Sequence, residues 1–276
     1  MTDRYAVIGN PIAHSKSPRI HAAFARETGE DLSYGRILGS LAGFEDEARG
    51  FFADGGRGLN VTVPFKERAW ALVDARSPRA ETAGSVNTLI PVPEGGLRGD
   101  NTDGVGLVRD LVANQGFRFV GSRVLLLGAG GAARGVLRPL LETGLAELVI
   151  ANRTASKALD LAGSAAGLGP VLGCGLAELE LIAGGGFDLI LNATSAGLGG
   201  TVPTLPEACV RPDGWVYDLF YGDEPTPFCR WGDRRGAARV LDGLGMLVEQ
   251  AAESFWLWRG HRPSTAPVIE MLRRLG

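Results

Sequence analysis

Lys66 is the residue of this chain best suited to exchange a proton. The 276-residue sequence holds 28 basic residues, of which only Lys16, Lys66 and Lys157 are lysine, leaving 25 arginines. Arginine keeps its proton in a protein, whereas a desolvated lysine can release it. A lysine kept in so arginine-biased a chain points to a need for a compact or titratable ammonium. Lys66 ends the stretch Asn60-Val-Thr-Val-Pro-Phe-Lys66, where an extended segment gives way to a helix. Asp103 is its candidate partner: the carboxylate would hold the ammonium while the lysine trades a proton with a substrate oxygen. The competing readings are a surface ion pair for Lys66 and an N-cap for Asp103.

A second group of polar residues lies at turns. The loop Ile12-Ala-His-Ser-Lys-Ser-Pro18 precedes a helix, with Pro18 in its first turn. Hydroxyls of Ser15 and Ser17 beside free backbone N–H groups suit a small carboxylate, and capping by Ser17 is the alternative. Asparagine is scarce, and Asn10, Asn60, Asn87, Asn101, Asn152 and Asn192 all fall in turns or motifs. Thr62 and Asn87 end extended segments, as Asn60 and Asp103 do.

The second half opens with Arg123-Val-Leu-Leu-Leu-Gly-Ala-Gly-Gly-Ala-Ala133. An apolar strand, a Gly128-x-Gly130-x-x-Ala133 turn and a helix form the dinucleotide fingerprint in its required setting. Gly128, Ala129, Gly130, Gly131 and Ala132 are the loop that meets the pyrophosphate. After the next strand, NAD enzymes usually carry an acid for the ribose 2′-hydroxyl. Here Asn152 takes that place, with Arg153, Thr154 and Lys157 nearby. Two cations without the acid favour a 2′-phosphate, hence NADP over NAD.

These residues need elements to position them. The pattern predicts strands over 4–9, 33–38, 58–63, 86–91 and 97–100, and helices over 18–28, 42–53, 65–73 and 104–114. Further strands are expected at 123–127, 148–151, 187–191 and 215–219, with a long last helix from about 243 to 258. The fold class is α/β with two domains: an N-terminal substrate domain, residues 1–103, completed by C-terminal helices over 241–276, and a doubly wound Rossmann-type NADP domain, residues 104–240.

Bulk properties exclude several classes. A net charge of −3 makes no electrostatic case for nucleic acid or an anionic membrane. No apolar run approaches the ~20 residues of a membrane span, and no secretory signal is evident. Cys174, Cys209 and Cys229 are few and scattered, which fits a reducing cytoplasm. His14, His21 and His261 form no cluster with them, so no metal site is expected.

In combination, Gly9-Asn-Pro-Ile-Ala-His-Ser-Lys-Ser-Pro18, Asn60-Val-Thr-Val-Pro-Phe-Lys66, Val86-Asn-Thr88, Gly99-Asp-Asn-Thr-Asp-Gly104, Asn152-Arg-Thr154, Asn192-Ala-Thr-Ser195, Tyr217-Asp-Leu-Phe-Tyr221 and Asp242-Gly-Leu-Gly-Met-Leu-Val-Glu-Gln-Ala-Ala252 resemble shikimate dehydrogenases over nearly the whole chain. The resemblance implies reversible NADPH reduction of 3-dehydroshikimate to shikimate, in aromatic amino-acid biosynthesis. It implies Lys66 and Asp103 as the catalytic pair and Ser15 and Ser17 on the substrate carboxylate. It also implies Asn60, Thr62, Asn87, Tyr221 and Gln250 on the ring hydroxyls, and Leu219 and Gly243 at the nicotinamide. Leu219 departs from the methionine often found there. A monomer or homodimer is expected. The rivals are a quinate/shikimate dehydrogenase using NAD and a non-catalytic NADP- or ligand-binding protein.

Overall fold

The computed structural model describes residues 2–194 and 201–275. Ser195 and Gly197, in the sequence motif after Asn192, fall outside the described residues. The chain divides into two compact units, residues 1–106 with 247–275, and residues 107–246.

In the first unit, β1 (Asp3–Gly9), β2 (Leu32–Leu38), β3 (Gly56–Val61), β4 (Ala75–Arg76), β5 (Thr88–Pro91) and β6 (Leu97–Asp100) form one sheet in the order β2-β1-β3-β5-β6-β4. β1 pairs in parallel with β2 and β3, whereas β5 lies antiparallel to both β3 and β6. That insertion sets Asn60 opposite Thr88, and Thr88 opposite Asp100. Helices α1 (Ser17–Thr28), α2 (Phe44–Ala53), α3 (Lys66–Leu72) and α4 (Pro78–Ala83) follow in this half. Ile8, Leu59, Val61, Phe65, Ala69 and Leu89 share one buried core.

The third strand ends at Val61, two residues before the predicted end, because Thr62 and Phe65 close a turn, with Phe65 N donating to Thr62 O at 3.0 Å. Strand β5 begins at Thr88 and not at Val86, whose N–H goes to Lys66 O at 2.9 Å. The helix predicted over 104–114 starts one residue earlier as α5 (Asp103–Arg109) and widens into a π-helical turn, Asp110–Asn114. The π-helical turn opens at Asp110, which is buried and accepts from Tyr217 Oη at 2.8 Å and Asn114 Nδ2 at 3.0 Å. The chain passes from the first unit to the second within α5.

The second unit holds six parallel strands: β7 (Arg123–Leu127), β8 (Glu147–Asn152), β9 (Val171–Gly175), β10 (Phe187–Asn192), β11 (Val210–Asp218) and β12 (Arg239–Leu241), ordered β12-β11-β10-β7-β8-β9. Parallel strands covered on both faces read as continuous apolar runs, as Val124-Leu-Leu-Leu127 does. Val124 and Leu126 join one core, Leu125 and Leu127 the other. Helices α6 (Gly131–Leu141), α7 (Ala155–Ser164), α8 (Leu179–Ile182) and α9 (Pro227–Arg234) accompany the sheet. Helix α10 (Leu244–Arg259) returns the chain to the first unit, and α11 (Ala266–Leu275) ends it. The strands β4, β9 and β12 and the helices α4, α8 and α9 lie outside the elements predicted from the sequence.

Candidate active site

Lys66 is the first residue of α3, and its Nζ donates to Asp103 Oδ2 at 2.6 Å. Asp103 opens α5, and its other oxygen, Oδ1, accepts from Asn87 Nδ2 at 2.8 Å. Both carboxylate oxygens therefore engage side chains, and Asp103 is the first residue of α5 and not the one before it. The pair is partly exposed, at 29% for the lysine side chain and 13% for the aspartate, so an incoming oxygen can reach it.

Asn87 is the pivot of the site. Its Oδ1 accepts from Thr102 N at 2.9 Å and from Thr88 Oγ1 at 2.9 Å. Gln250, on α10, donates Nε2 to Leu247 O, which turns its Oε1 toward Asn87 Nδ2 at 3.3 Å. Asn60 is almost fully buried, and both ends of its amide are committed inside the protein. Its Oδ1 accepts from Tyr34 Oη at 2.7 Å, and its Nδ2 faces Asn87 O, Thr88 Oγ1 and Ser254 Oγ at 3.0–3.1 Å. Thr62 is half-buried, and its methyl occupies the space that a Cβ at Gly9 would need, 2.4 Å away.

At the loop before α1 the capping contact falls to Ser15 and not to Ser17. Helix α1 begins at Ser17, and Lys16 in the cap position makes no side-chain bond to it. Ser15 Oγ instead accepts from Ser17 N at 3.3 Å. Ser17, expected as a possible cap, is thus the first residue of the helix. Arg36 Nε and Nη2 both donate to Ser15 O, at 3.1 and 2.5 Å, and hold the loop from β2.

In the second unit the glycine loop has the form its sequence requires. Gly128 sits at φ +104, and a Cβ there would lie 3.1 Å from Ala193 O. Gly130 and Gly131 are exposed at the N-terminus of α6, while Ala133 is fully buried against the sheet. Ala129 is half-buried and Ala132 exposed in the same turn. Exposed N–H groups at a helix start suit a pyrophosphate. Asn152 ends β8 and donates to Thr154 O at 3.0 Å. Thr154 occupies the cap position of α7, but its hydroxyl accepts no backbone N–H. Arg153 and Lys157 are exposed, and no ion pair engages them among the described residues.

Three family models match the chain: the shikimate dehydrogenase substrate binding domain over residues 7–89, shikimate / quinate 5-dehydrogenase over 111–198, and the shikimate 5′-dehydrogenase C-terminal domain over 243–273. A shikimate dehydrogenase (NADP(+)) of Alkalilimnicola ehrlichii is 57% identical, with 99% of each chain covered. The chain belongs to the shikimate dehydrogenase family. Among solved structures, an Ael1 enzyme from Pseudomonas putida is 47% identical, with TM-score 0.91 and 98% of each chain covered. The shikimate 5-dehydrogenase of Thermus thermophilus, solved with NADP(H) and shikimate, is 36% identical, with TM-score 0.86 and 99% of each chain covered. The family resemblance and the two-part α/β fold read from the sequence are both borne out.

Other residues expected to act in this dehydrogenase lie in the second unit. Tyr221 follows β11, and burial pushes its phenol above its ordinary value. Leu219 N donates to Asn192 O at 3.0 Å. Gly243 packs so closely on Leu219 that a Cβ would lie 2.2 Å from Leu219 O. Sequence reasoning missed Tyr34, Thr88, Thr102 and Ser254, the hydroxyls around the two asparagines. Thr88 and Thr102 stand beside Asn87 and Asp103 in motifs already marked, which was the available signal. Among the described residues no group of His, Cys, Asp and Glu could hold a metal ion. No helix among them is long and apolar enough to cross a membrane.

Proposed function

We propose that this protein catalyses the reversible NADPH-dependent reduction of 3-dehydroshikimate to shikimate. Membership of the shikimate dehydrogenase family supports the reaction, and one observation carries the mechanism: the contact between Lys66 Nζ and Asp103 Oδ2. The enzyme acts on a CH–OH group in aromatic amino-acid biosynthesis. The first unit binds the substrate and the second binds NADP.

Carbonyl reduction needs a hydride on carbon and a proton on oxygen. NADPH, when bound, supplies the hydride. Lys66 gives its proton to the carbonyl oxygen as charge develops there, and takes it back from the alcohol in the reverse direction. Asp103 keeps the ammonium aimed and shares the next hydroxyl. Ser15 and Ser17 bind the carboxylate, and Asn60, Thr62, Asn87, Tyr221 and Gln250 contact the ring hydroxyls. A site built from small polar groups rejects a ligand that would leave them unpaired.

On the cofactor side, the loop from Gly128 to Ala132 takes the pyrophosphate. Arg153 and Lys157, with Asn152 and Thr154, take the 2′-phosphate. Leu219 and Gly243 lie at the nicotinamide end. The protein is a cytoplasmic monomer or homodimer. Turnover of shikimate and quinate with NADP+ and NAD+, followed by nicotinamide absorbance, tests the whole reading. The highest kcat/KM should belong to shikimate with NADP+. A higher value with NAD+ would establish the quinate-type rival, and no turnover would leave a binding protein.

A further inference from the structure

Thr88 is fully buried, beyond reach of any substrate, yet its hydroxyl stands at a junction of hydrogen bonds. Thr88 Oγ1 lies 2.9 Å from Asn87 Oδ1, 3.1 Å from Asn60 Nδ2 and 2.8 Å from Ser254 Oγ. A hydroxyl has one proton to give and two lone pairs to receive. An amide nitrogen only donates and an amide oxygen only accepts, so both amide contacts are made when Thr88 receives from Asn60 and gives to Asn87, with Ser254 Oγ giving its own proton to Thr88. The direction is set upstream, because Tyr34 Oη donates to Asn60 Oδ1 and so turns Nδ2 toward Thr88. It continues downstream, because Asn87, holding its oxygen to Thr88 and Thr102 N, presents Nδ2 to Asp103 Oδ1.

We propose that Thr88 is a positioning residue of the reaction, relaying the orientation of Asn60 to the Asn87 carboxamide that holds Asp103 against Lys66. The chain runs one way: Tyr34 to Asn60 to Thr88 to Asn87 to Asp103, where Lys66 donates to the other oxygen. Bonds aligned head to tail polarise one another, and the last acceptor is the carboxylate of the catalytic pair. The inference rests on the catalytic reading of Lys66 and Asp103.

The test compares Thr88→Val, Thr88→Ser and Tyr34→Phe in the full chain, with kcat expressed per molecule able to bind NADP. Thr88→Val should lower kcat roughly tenfold, the value of one well-placed hydrogen bond, with KM for shikimate and NADP+ within about twofold. The deuterium isotope effect on kcat should rise as chemistry becomes slower. Thr88→Ser keeps the hydroxyl and should restore kcat. Tyr34→Phe acts one link further away and should lower kcat less, which keeps a measurement available if the valine variant does not fold. Equal losses in the serine and valine variants would reduce Thr88 to a packing residue, and an unchanged kcat in Thr88→Val or, if that variant does not fold, in Tyr34→Phe would overturn the relay. Lys66→Ala run alongside separates the two levels: if it retains full kcat the catalytic reading fails, and if it is inactive while Thr88→Val is normal only the relay fails.

Discussion

Lys66 and Asp103 stand 37 residues apart in sequence and 2.6 Å apart in space. Each is the first residue of a helix, so the backbone fixes where each side chain starts. Replacing Lys66 with alanine removes the proton donor but leaves the carboxylate loop and the ring contacts in place. We expect kcat to fall by ~10²–10⁴, the range for a positioned acid or base, with little change in KM for shikimate. Steady-state kinetics at saturating NADP+ check this, and a kcat near the parent value would remove Lys66 from its role.

Arg153 follows the end of β8 and Lys157 lies in the first turn of α7, without an acid between them. A guanidinium there gains from a phosphate what it cannot gain from a hydroxyl. Arg153→Ala should weaken NADPH on the order of tenfold and leave NADH nearly unchanged. Fluorescence titration with each dinucleotide decides it, and equal losses for both would refute the 2′-phosphate contact.

How far the site could be read in advance depended on how local its causes are. The strand, glycine turn and helix around Gly128 lie within about twenty residues, so the fingerprint is local even though Gly135 and Pro139 sit inside the helix against their propensity. The lysine and the aspartate sat at element starts that turn chemistry marks. The hydroxyl network was not legible, because it depends on β5 pairing antiparallel with β3, a contact between distant segments that no local pattern encodes, whereas the turn at Glu94-Gly95-Gly96 marks only the pairing of β5 with β6. Only that pairing sets Thr88 opposite Asn60. The cap of α1 was legible only in part: Pro18 marked the helix start and Ser17 was the candidate cap, but Ser15 Oγ accepts the Ser17 N–H.

Gly243 offers a test of packing. A methyl on its Cα would meet Leu219 O at 2.2 Å and Leu219 C at 2.7 Å, both backbone atoms that cannot swing aside. Gly243 N also donates to Phe220 O at 3.0 Å, so the two segments are already tied. Gly243→Ala should cost about 1–3 kcal/mol of stability, as overpacking usually does, and push Leu219 outward. A lowered Tm together with a raised KM for NADP+ is the expected result. A variant with unchanged Tm would show that the two segments can separate freely.

His21 makes stability depend on pH. It lies on α1, buried, stacked on Tyr34 with ring centres 4.1 Å apart, and its Nε2 has no hydrogen-bond partner. Burial pushes its imidazole down to about 3 from an ordinary 6.5. The unfolded chain therefore takes up a proton below pH 6.5 that the folded chain refuses until about pH 3. The folded state loses nothing on this account above that window and progressively more as pH falls through it. Between pH 7 and pH 5 the loss attributable to His21 is roughly 2 kcal/mol. His21→Phe preserves an aromatic face for Tyr34 but cannot bind the proton. Its urea midpoint should fall less than the parent's between pH 7 and pH 5. If both proteins lose the same amount, some other group governs the acid limb.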